Sequence, residues 1–127
     1  MKLQKARDLL TSRKADALLI TSFKNRYYLS GFSGSAGYLL ITADRAVLIT
    51  DGRYTVQAKK EAAGFELIEG AETDYLLALP ILKNAHSVIF EDDDLTVSSW
   101  NRLKKTYPDT EFIPGAADIN NLRRAKT

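Results

Sequence analysis

The stretch "SGFSGSAGYLLITADRAVLITDGRYTVQA", residues 30–58, decides most of what the sequence says about the fold. It holds two apolar runs of strand length, "GYLLIT" at 37–42 and "AVLITD" at 46–51. The three residues between these runs match the length of a hairpin connection. Three glycines at 31–37 precede the first run and predict an irregular loop. The stretch therefore predicts a glycine-rich loop that leads into an antiparallel hairpin.

The rest of the chain continues an alternation of strands and helices on both sides of that hairpin. The predicted strands are 16–21, 37–42, 46–51, 65–69, 87–91 and 111–113. The predicted helices are 2–10, 23–31, 53–62, 73–84, 96–107 and a last one that begins at 116. This order predicts an α/β fold with three layers, in which helices flank both faces of a six-stranded sheet. The sheet is expected to be mixed, parallel apart from one antiparallel hairpin.

Length and composition predict one ordinary globular domain over residues 1–127. The chain is 45% hydrophobic and 27% charged, and it contains no cysteine. Disulfides and thiolate metal sites are therefore excluded, which suits a reducing compartment. The basic N-terminus has no continuous apolar segment of the kind found in signal peptides, and no run approaches ~18 apolar residues. We predict a cytoplasmic protein without a membrane segment.

Positive charge is concentrated at the start of the chain. Residues 1–30 carry seven Lys or Arg against two Asp, whereas residues 31–120 carry eight against fourteen Asp or Glu. The early basic residues have the spacing of the solvent face of a helix, and they lack the interleaved aromatic residues of a nucleic-acid patch. We interpret them as solvated surface and predict no nucleic-acid partner.

The spacing of the glycines does not match a nucleotide-binding loop. Gly31, Gly34 and Gly37 are followed by Tyr38 and Leu39, where a Walker loop needs Lys and then Ser or Thr. The loop also precedes a strand, whereas a phosphate site requires the N-terminus of a helix. We favour a structural loop in which Gly34 and Gly37 allow positive φ angles, and which can present side chains to a partner.

Three other features could have a chemical role, but each has a simpler structural interpretation. Four acidic residues in a row, Glu91 to Asp94, follow a predicted strand, but neighbouring residues point in different directions and seldom converge on one ion. We favour a solvated turn that complements a helix N-terminus over a metal site. His86 has no second His or Cys for zinc, so a boundary position is expected. Trp100 lies on the apolar stripe of its helix and is predicted to pack in the core.

Two motifs carry a resemblance to a known family. "NRYYLSGFSGSAGYLLIT", followed by "VLITDGRYTVQA", resembles the N-terminal domain of the creatinase/prolidase/aminopeptidase P family, specifically the Xaa-Pro peptidases. The similarity extends over essentially the whole chain, from the opening "KLQKARDLL" helix to the closing "INNLRRAKT". It implies a mixed α/β domain related to the ribonuclease H-like architecture.

The resemblance also implies a function. It implies the non-catalytic domain of a peptidase that hydrolyses the bond before proline, in which a separate C-terminal domain binds two divalent metals (Mn, Co or Zn). That catalytic domain is expected to be absent from this chain, which would contain no metal ligands or catalytic residues. The implied partners are the chain's own catalytic domain, a second copy of the chain in a homo-oligomer such as a dimer, and a peptide with proline at its second position.

The same resemblance implies residues that control substrate access. The candidates are Phe32, Ser33, Gly34, Ser35, Arg53 and Tyr54. We expect Phe32 to be an exposed aromatic on the loop, and Asp51 to cap the helix that follows it. For Arg53, a structural ion pair and a contact with substrate both remain open.

One alternative from another class remains. It is a stand-alone ribonuclease H-like binding module without a peptidase partner domain. If such a fold were used for nucleic acid, it would need carboxylates on adjacent strands. The predicted strand ends offer Asp51 and the run Glu91 to Asp94 for that purpose.

Overall fold

A computed structural model of the chain describes residues 2–70 and 85–124. Within these ranges the predicted order of strands and helices is confirmed. The strands are β1 Ala17–Ile20, β2 Tyr38–Thr42, β3 Ala46–Thr50, β4 Glu66–Glu69, β5 Ser87–Phe90 and β6 Glu111–Pro114. The helices are α1 Lys2–Arg13, α2 Phe23–Ser30, α3 Thr55–Glu61, α4 Val97–Thr106 and α5 Ala116–Arg124, with a 3-10 turn at Gly52–Tyr54. The helix predicted at 73–84 lies outside the described residues.

The six strands form one mixed sheet in the order β4-β3-β2-β1-β5-β6. The predicted hairpin is confirmed, since β2 and β3 pair in antiparallel orientation with Leu39 opposite Leu48. The structure adds that β2 is also antiparallel to β1, with Leu18 opposite Ile41. The pairs β3–β4, β1–β5 and β5–β6 are parallel. Consequently the carboxyl ends of β1, β3 and β5 and the start of β2 meet at one edge of the sheet, which we call the carboxyl edge.

Apolar residues alternate between the two faces of the central strands, so that each face has its own core. One core lies under α1, α2, α3 and α5 and includes Leu18, Leu39 and Leu48, all fully buried. The opposite face packs against α4 through Leu19 and Leu103. The sheet is therefore covered from both sides, which explains why its central strands are apolar almost throughout.

Local capping groups fix where the helices begin and end. Ser22 accepts a hydrogen bond from the Asn25 N–H at the start of α2, and Thr96 does the same for Ser99 in α4. Gly31 ends α2 with φ 82°, and its N–H donates to the Tyr27 carbonyl oxygen at 2.8 Å. The glycine-rich segment 31–37 therefore leaves α2 at a defined point and direction.

Candidate functional site

The glycine loop, residues 31–37, connects α2 to β2 and lies at the carboxyl edge of the sheet. Two glycines permit close backbone contacts there. A Cβ atom at Gly37, which has φ 149°, would lie 2.8 Å from the Ile49 carbonyl oxygen. The positive φ predicted at Gly34 is wrong. Glycine is required at position 34 because a Cβ there would overlap the ring of Phe32.

Phe32 was predicted to be exposed, and this prediction is wrong. Its side chain is fully buried in the core beneath α1, α2, α3 and α5. The ring packs edge-on against Tyr54, with 5.9 Å between ring centroids. The loop folds over Phe32 because burying an aromatic ring removes a large apolar surface from water. Phe32 therefore anchors the glycine loop from below and presents no surface to a partner.

Arg26 holds the same loop from within the protein. Its side chain is 2% exposed, and its guanidinium donates to the carbonyl oxygens of Gly34 and Gly37, both at 2.8 Å. The loop has few backbone partners of its own, so the buried guanidinium satisfies carbonyl groups that would otherwise lose their hydrogen bonds. The interpretation of the early basic residues as solvated surface is wrong for Arg26. Arg26 lies five residues before Gly31, and its neighbours in the sequence give no local signal of this burial.

The outer surface of the loop contacts α3 and the 3-10 turn before it. The backbone N–H and the hydroxyl of Ser33 both donate to the Glu61 carboxylate, at 2.8 and 3.0 Å. The hydroxyl of Ser35 lies 2.5 Å from the Tyr54 hydroxyl. The backbone hydrogen bond from Ser33 is the main cause of a lowered pKa at Glu61. Glu61 is therefore ionised at neutral pH and accepts from the loop.

The segment Asp51–Tyr54 forms the corner after β3. Asp51 accepts from the Arg53 N–H at 3.0 Å, which confirms the predicted cap, although the capped element is the 3-10 turn. The guanidinium of Arg53 makes two hydrogen bonds to Asp51, at 2.9 and 2.7 Å, and its side chain remains 62% exposed. The ion pair is thus present while one side of the guanidinium faces solvent. A contact between Arg53 and substrate stays a prediction.

The exposed aromatic residues of this region lie on α2. Phe23 and Tyr27 are about half exposed, and their rings stack in parallel with centroids 6.1 Å apart. The Arg26 guanidinium lies 5.4 Å from the Phe23 ring and 6.0 Å from the buried Phe32 ring, which places the stacked pair next to the loop. Sequence reasoning assigned no role to either residue. Their spacing of four on one helix is the signal that could have paired them.

The acidic run at 91–94 was predicted to be a solvated turn, and this is wrong for Glu91. Glu91 is 1% exposed and accepts from the backbone N–H groups of Thr21 and Ser22, at 2.6 and 2.7 Å. It also accepts from the Ser22 hydroxyl and from the Asn25 amide. The carboxylate therefore binds the start of α2 from inside the protein.

The three aspartates that follow have separate roles. Asp92 accepts from the Ala116 N–H at 2.8 Å, so the predicted complementarity to a helix N-terminus is found at α5. Asp94 accepts from the Thr21 hydroxyl at 2.6 Å, and Asp93 accepts from Asn120. Glu91 and Asp94 both accept from Thr21, whereas Asp92 and Asp93 accept from α5, and among the described residues no three of these carboxylates are placed to hold one ion.

Two single residues lie as the sequence predicts. His86 is exposed at the boundary of β5. Trp100 packs against the core by stacking on Phe90, with ring centroids 4.7 Å apart. It also borders a groove of about 310 Å³ that Phe112 helps to line. Neither residue lies in the region of the glycine loop.

Neither a metal site nor a nuclease-like pair of carboxylates forms in the described part of the chain. Among residues 2–70 and 85–124, no group of three His, Asp or Glu side chains is placed to hold a metal ion. Asp51 directly follows β3 and Glu91 directly follows β5, and these strands are three strand spacings or ~14 Å apart across the sheet. Both carboxylates also have internal partners, Arg53 and the start of α2. In the same ranges, none of the helices is both long and apolar enough to cross a bilayer.

Comparison with known proteins gives the family. The sequence matches the model of the Creatinase/Prolidase N-terminal domain family over residues 2–125. A relative is the uncharacterized peptidase YqhT of Bacillus subtilis, 36% identical over the whole chain. The chain covers 36% of the length of that relative, so it spans about a third of it.

Solved structures agree with this match over nearly the full chain. The N-terminal domain of the cytoplasmic peptidase PepQ from Mycobacterium tuberculosis is 33% identical, with a TM-score of 0.86 over 96% of this chain and 98% of that one. The Xaa-Pro dipeptidase from Bacillus anthracis is 35% identical, with a TM-score of 0.89 over 99% of this chain and 36% of that one. A six-stranded mixed sheet with this coverage, together with the family match, shows that the chain belongs to the creatinase/prolidase N-terminal domain family.

Proposed function

We propose that this chain is the non-catalytic N-terminal domain of a Xaa-Pro peptidase, which works together with a C-terminal catalytic domain. The proposal rests on the share of two solved structures that this chain covers. The chain matches 98% of an isolated peptidase N-terminal domain, but 36% of a Xaa-Pro dipeptidase. The substrate would be a peptide with proline at its second position.

The metal chemistry is assigned to the catalytic domain. The described residues of this chain offer no cluster of three metal-binding side chains, and the carboxylates Asp51 and Glu91 have internal partners. Two divalent ions, Mn, Co or Zn, would activate water in the other domain. The cytoplasm is the proposed location, in line with the absence of cysteine.

The proposed role of this domain is to form part of the rim through which peptides reach the catalytic centre, in a homo-oligomer that brings the rim to a neighbouring subunit. The loop residues Ser33 and Ser35 are exposed, and Arg53 presents a partly solvated guanidinium beside them. The stacked pair Phe23 and Tyr27 adds an exposed aromatic surface, and aromatic surfaces are used to bind proline-containing peptide segments. Such a rim would restrict the length of peptides and exclude water without contacting the scissile bond.

The natural protein that contains this chain tests the peptidase proposal. Purified with Mn, Co or Zn, it should hydrolyse a Xaa-Pro dipeptide or a longer peptide with proline second, and a matched peptide with alanine second should react far more slowly. Light scattering on the same sample reports whether it is a dimer or a larger oligomer. Absence of proline-dependent hydrolysis with every metal would refute the proposal.

Single substitutions in the active protein test the rim. Arg53→Ala and Tyr27→Ala should each lower kcat/KM on a longer peptide by roughly 5- to 30-fold, with metal content unchanged, because one peripheral contact is lost. Phe32→Ala should instead destabilise the fold by about 3–5 kcal/mol, since a buried ring is removed. Unchanged kinetics on both a dipeptide and a longer peptide, for folded Arg53→Ala and Tyr27→Ala, would leave this surface without a role in access.

A further inference from the structure

We propose that Glu61 is a positioning residue that clamps the outer side of the glycine loop and so fixes the shape of the access rim. The inference rests on the proposed function for its effect on catalysis, but the clamp itself can be tested without it.

The clamp joins two segments that are distant in sequence. Glu61 lies at the end of α3, 28 residues after Ser33, and its carboxylate accepts both the Ser33 backbone N–H and the Ser33 hydroxyl. Gln57, one turn earlier on α3, donates to the Ser33 hydroxyl at 2.9 Å and to Glu61 at 3.3 Å. A carboxylate that accepts a backbone N–H makes a charge-assisted hydrogen bond, which is stronger than a neutral one.

The end of α3 and the start of the loop are also in close backbone contact. A Cβ atom at Gly31 would lie 3.0 Å from the Glu61 carbonyl oxygen, so glycine permits this approach. Gly31 has φ 82°, which turns the chain toward α3 as it leaves α2. Glu61 therefore meets the loop through its backbone and through its side chain.

The loop has an inner and an outer set of contacts with different burial. On the inner side, the buried Arg26 binds the Gly34 and Gly37 carbonyl oxygens and Phe32 fills the core. On the outer side, Ser33 and Glu61 are exposed. Removal of the outer contacts should consequently change the position of Ser33 and Ser35 while the core beneath remains folded. This separation makes Glu61 a residue that acts on the rim rather than on stability.

Hydrogen exchange on the full natural protein tests the clamp directly. Glu61→Ala should speed exchange of the Ser33 amide by about 5-fold, because one hydrogen bond that protects it is lost. Glu61→Gln, which keeps one acceptor oxygen, should restore part of the protection. Lys59→Ala, a truncation at another exposed position of α3, is the control and should exchange like the parent. Equal exchange at Ser33 in Glu61→Ala and the parent would overturn the clamp.

Steady-state kinetics on the same variants test the consequence for access. Glu61→Ala should raise KM for a longer Xaa-Pro peptide about 3- to 10-fold with kcat within 2-fold, because the loop forms a wall and takes no part in the chemistry. Glu61→Gln should lie between Glu61→Ala and the parent. Faster exchange with unchanged KM would overturn the positioning role. If the parent cleaves no Xaa-Pro peptide, the proposed function fails, while the exchange measurement still decides the clamp.

Discussion

The acidic turn at 91–94 and the glycine loop at 31–37 are two polar turns at the same edge of the sheet, and one buried charged side chain acts at each of them, the anion Glu91 at the first and the cation Arg26 at the second. Glu91 accepts hydrogen bonds from the backbone N–H groups of Thr21 and Ser22, whereas Arg26 donates hydrogen bonds to carbonyl oxygens of the loop. The difference follows from what each backbone leaves without a partner. The start of α2 has unpaired N–H groups, which need an anion, and the irregular loop has unpaired carbonyl groups, which need a donor.

Buried and exposed charged side chains have different roles in these two turns. At both places the charged group is buried and multiply hydrogen-bonded, so its loss would leave several backbone groups unsatisfied away from water. The outer contacts of the loop, such as Ser33 with Glu61, are exposed and affect local order more than folding. A turn that looks uniformly polar in sequence therefore contains residues that stabilise the fold and residues that shape the surface.

The largest expected effect is the loss of the buried anion. Glu91→Ala should lower the free energy of unfolding by roughly 3–5 kcal/mol, because two backbone N–H groups, a hydroxyl and an amide lose their acceptor. Urea denaturation of the purified chain measures this loss. Glu111→Ala, at an exposed position of β6, should stay within about 0.5 kcal/mol of the parent and is the control. Equal stability of the two variants would contradict a structural role for the Glu91 carboxylate.

A smaller effect is expected for the buried cation. Arg26→Met keeps much of the apolar volume but leaves the Gly34 and Gly37 carbonyl oxygens without a donor, which should cost about 2 kcal/mol. The cost is lower than for Glu91→Ala because fewer groups lose their hydrogen-bond partner and because Met fills much of the space of the Arg side chain, whereas Ala leaves a cavity. Lys24→Met, at an exposed position of the same helix, serves as the control in the same urea experiment. A loss for Arg26→Met larger than for Glu91→Ala would reverse the proposed ranking of the two regions.

The smallest effect is expected at Tyr38, where the two regions meet. Burial raises the pKa of the Tyr38 phenol above 10.0, the Asp94 carboxylate of the acidic turn raises it further, and the Arg26 guanidinium lowers it. Above about pH 10 the unfolded chain loses the phenolic proton while the folded protein keeps it, so the free energy of unfolding falls as pH rises through this range. Tyr38→Phe should make that alkaline loss shallower. Urea denaturation curves recorded from pH 8 to 11 measure this loss of stability. If the free energy of unfolding fell equally with pH in Tyr38→Phe and the parent, a raised pKa at Tyr38 would be excluded.

Much of the fold follows from local sequence patterns. The apolar runs "GYLLIT" and "AVLITD" and the short connection between them predict the hairpin, and the structure confirms that the two strands pair in antiparallel orientation. Thr96 and Gly31 predict the start of α4 and the end of α2, because caps depend on the residue itself and its immediate neighbours. The family also follows from contiguous motifs on either side of the hairpin.

The environment of single polar and aromatic residues did not follow from sequence. Phe32, in a polar glycine-rich loop, gives no local sign that the loop folds over it, and Glu91 is one of four acidic residues with similar neighbours. Their burial depends on partners far away in the chain, since Glu91 binds a segment 69 and 70 residues earlier. Local propensity carries no information about such contacts.

The alternation of strands and helices, the hairpin, the caps and the family can be read from the sequence, because each depends on short-range periodicity or on a contiguous motif. Contacts between distant segments establish that Phe32 and Arg26 anchor the glycine loop from within, that Glu91 is enclosed, and that Phe23 and Tyr27 supply the exposed aromatic surface. The physical reason is that burial is a property of the assembled sheet edge, where β1, β2, β3 and β5 bring together residues that are remote in the chain.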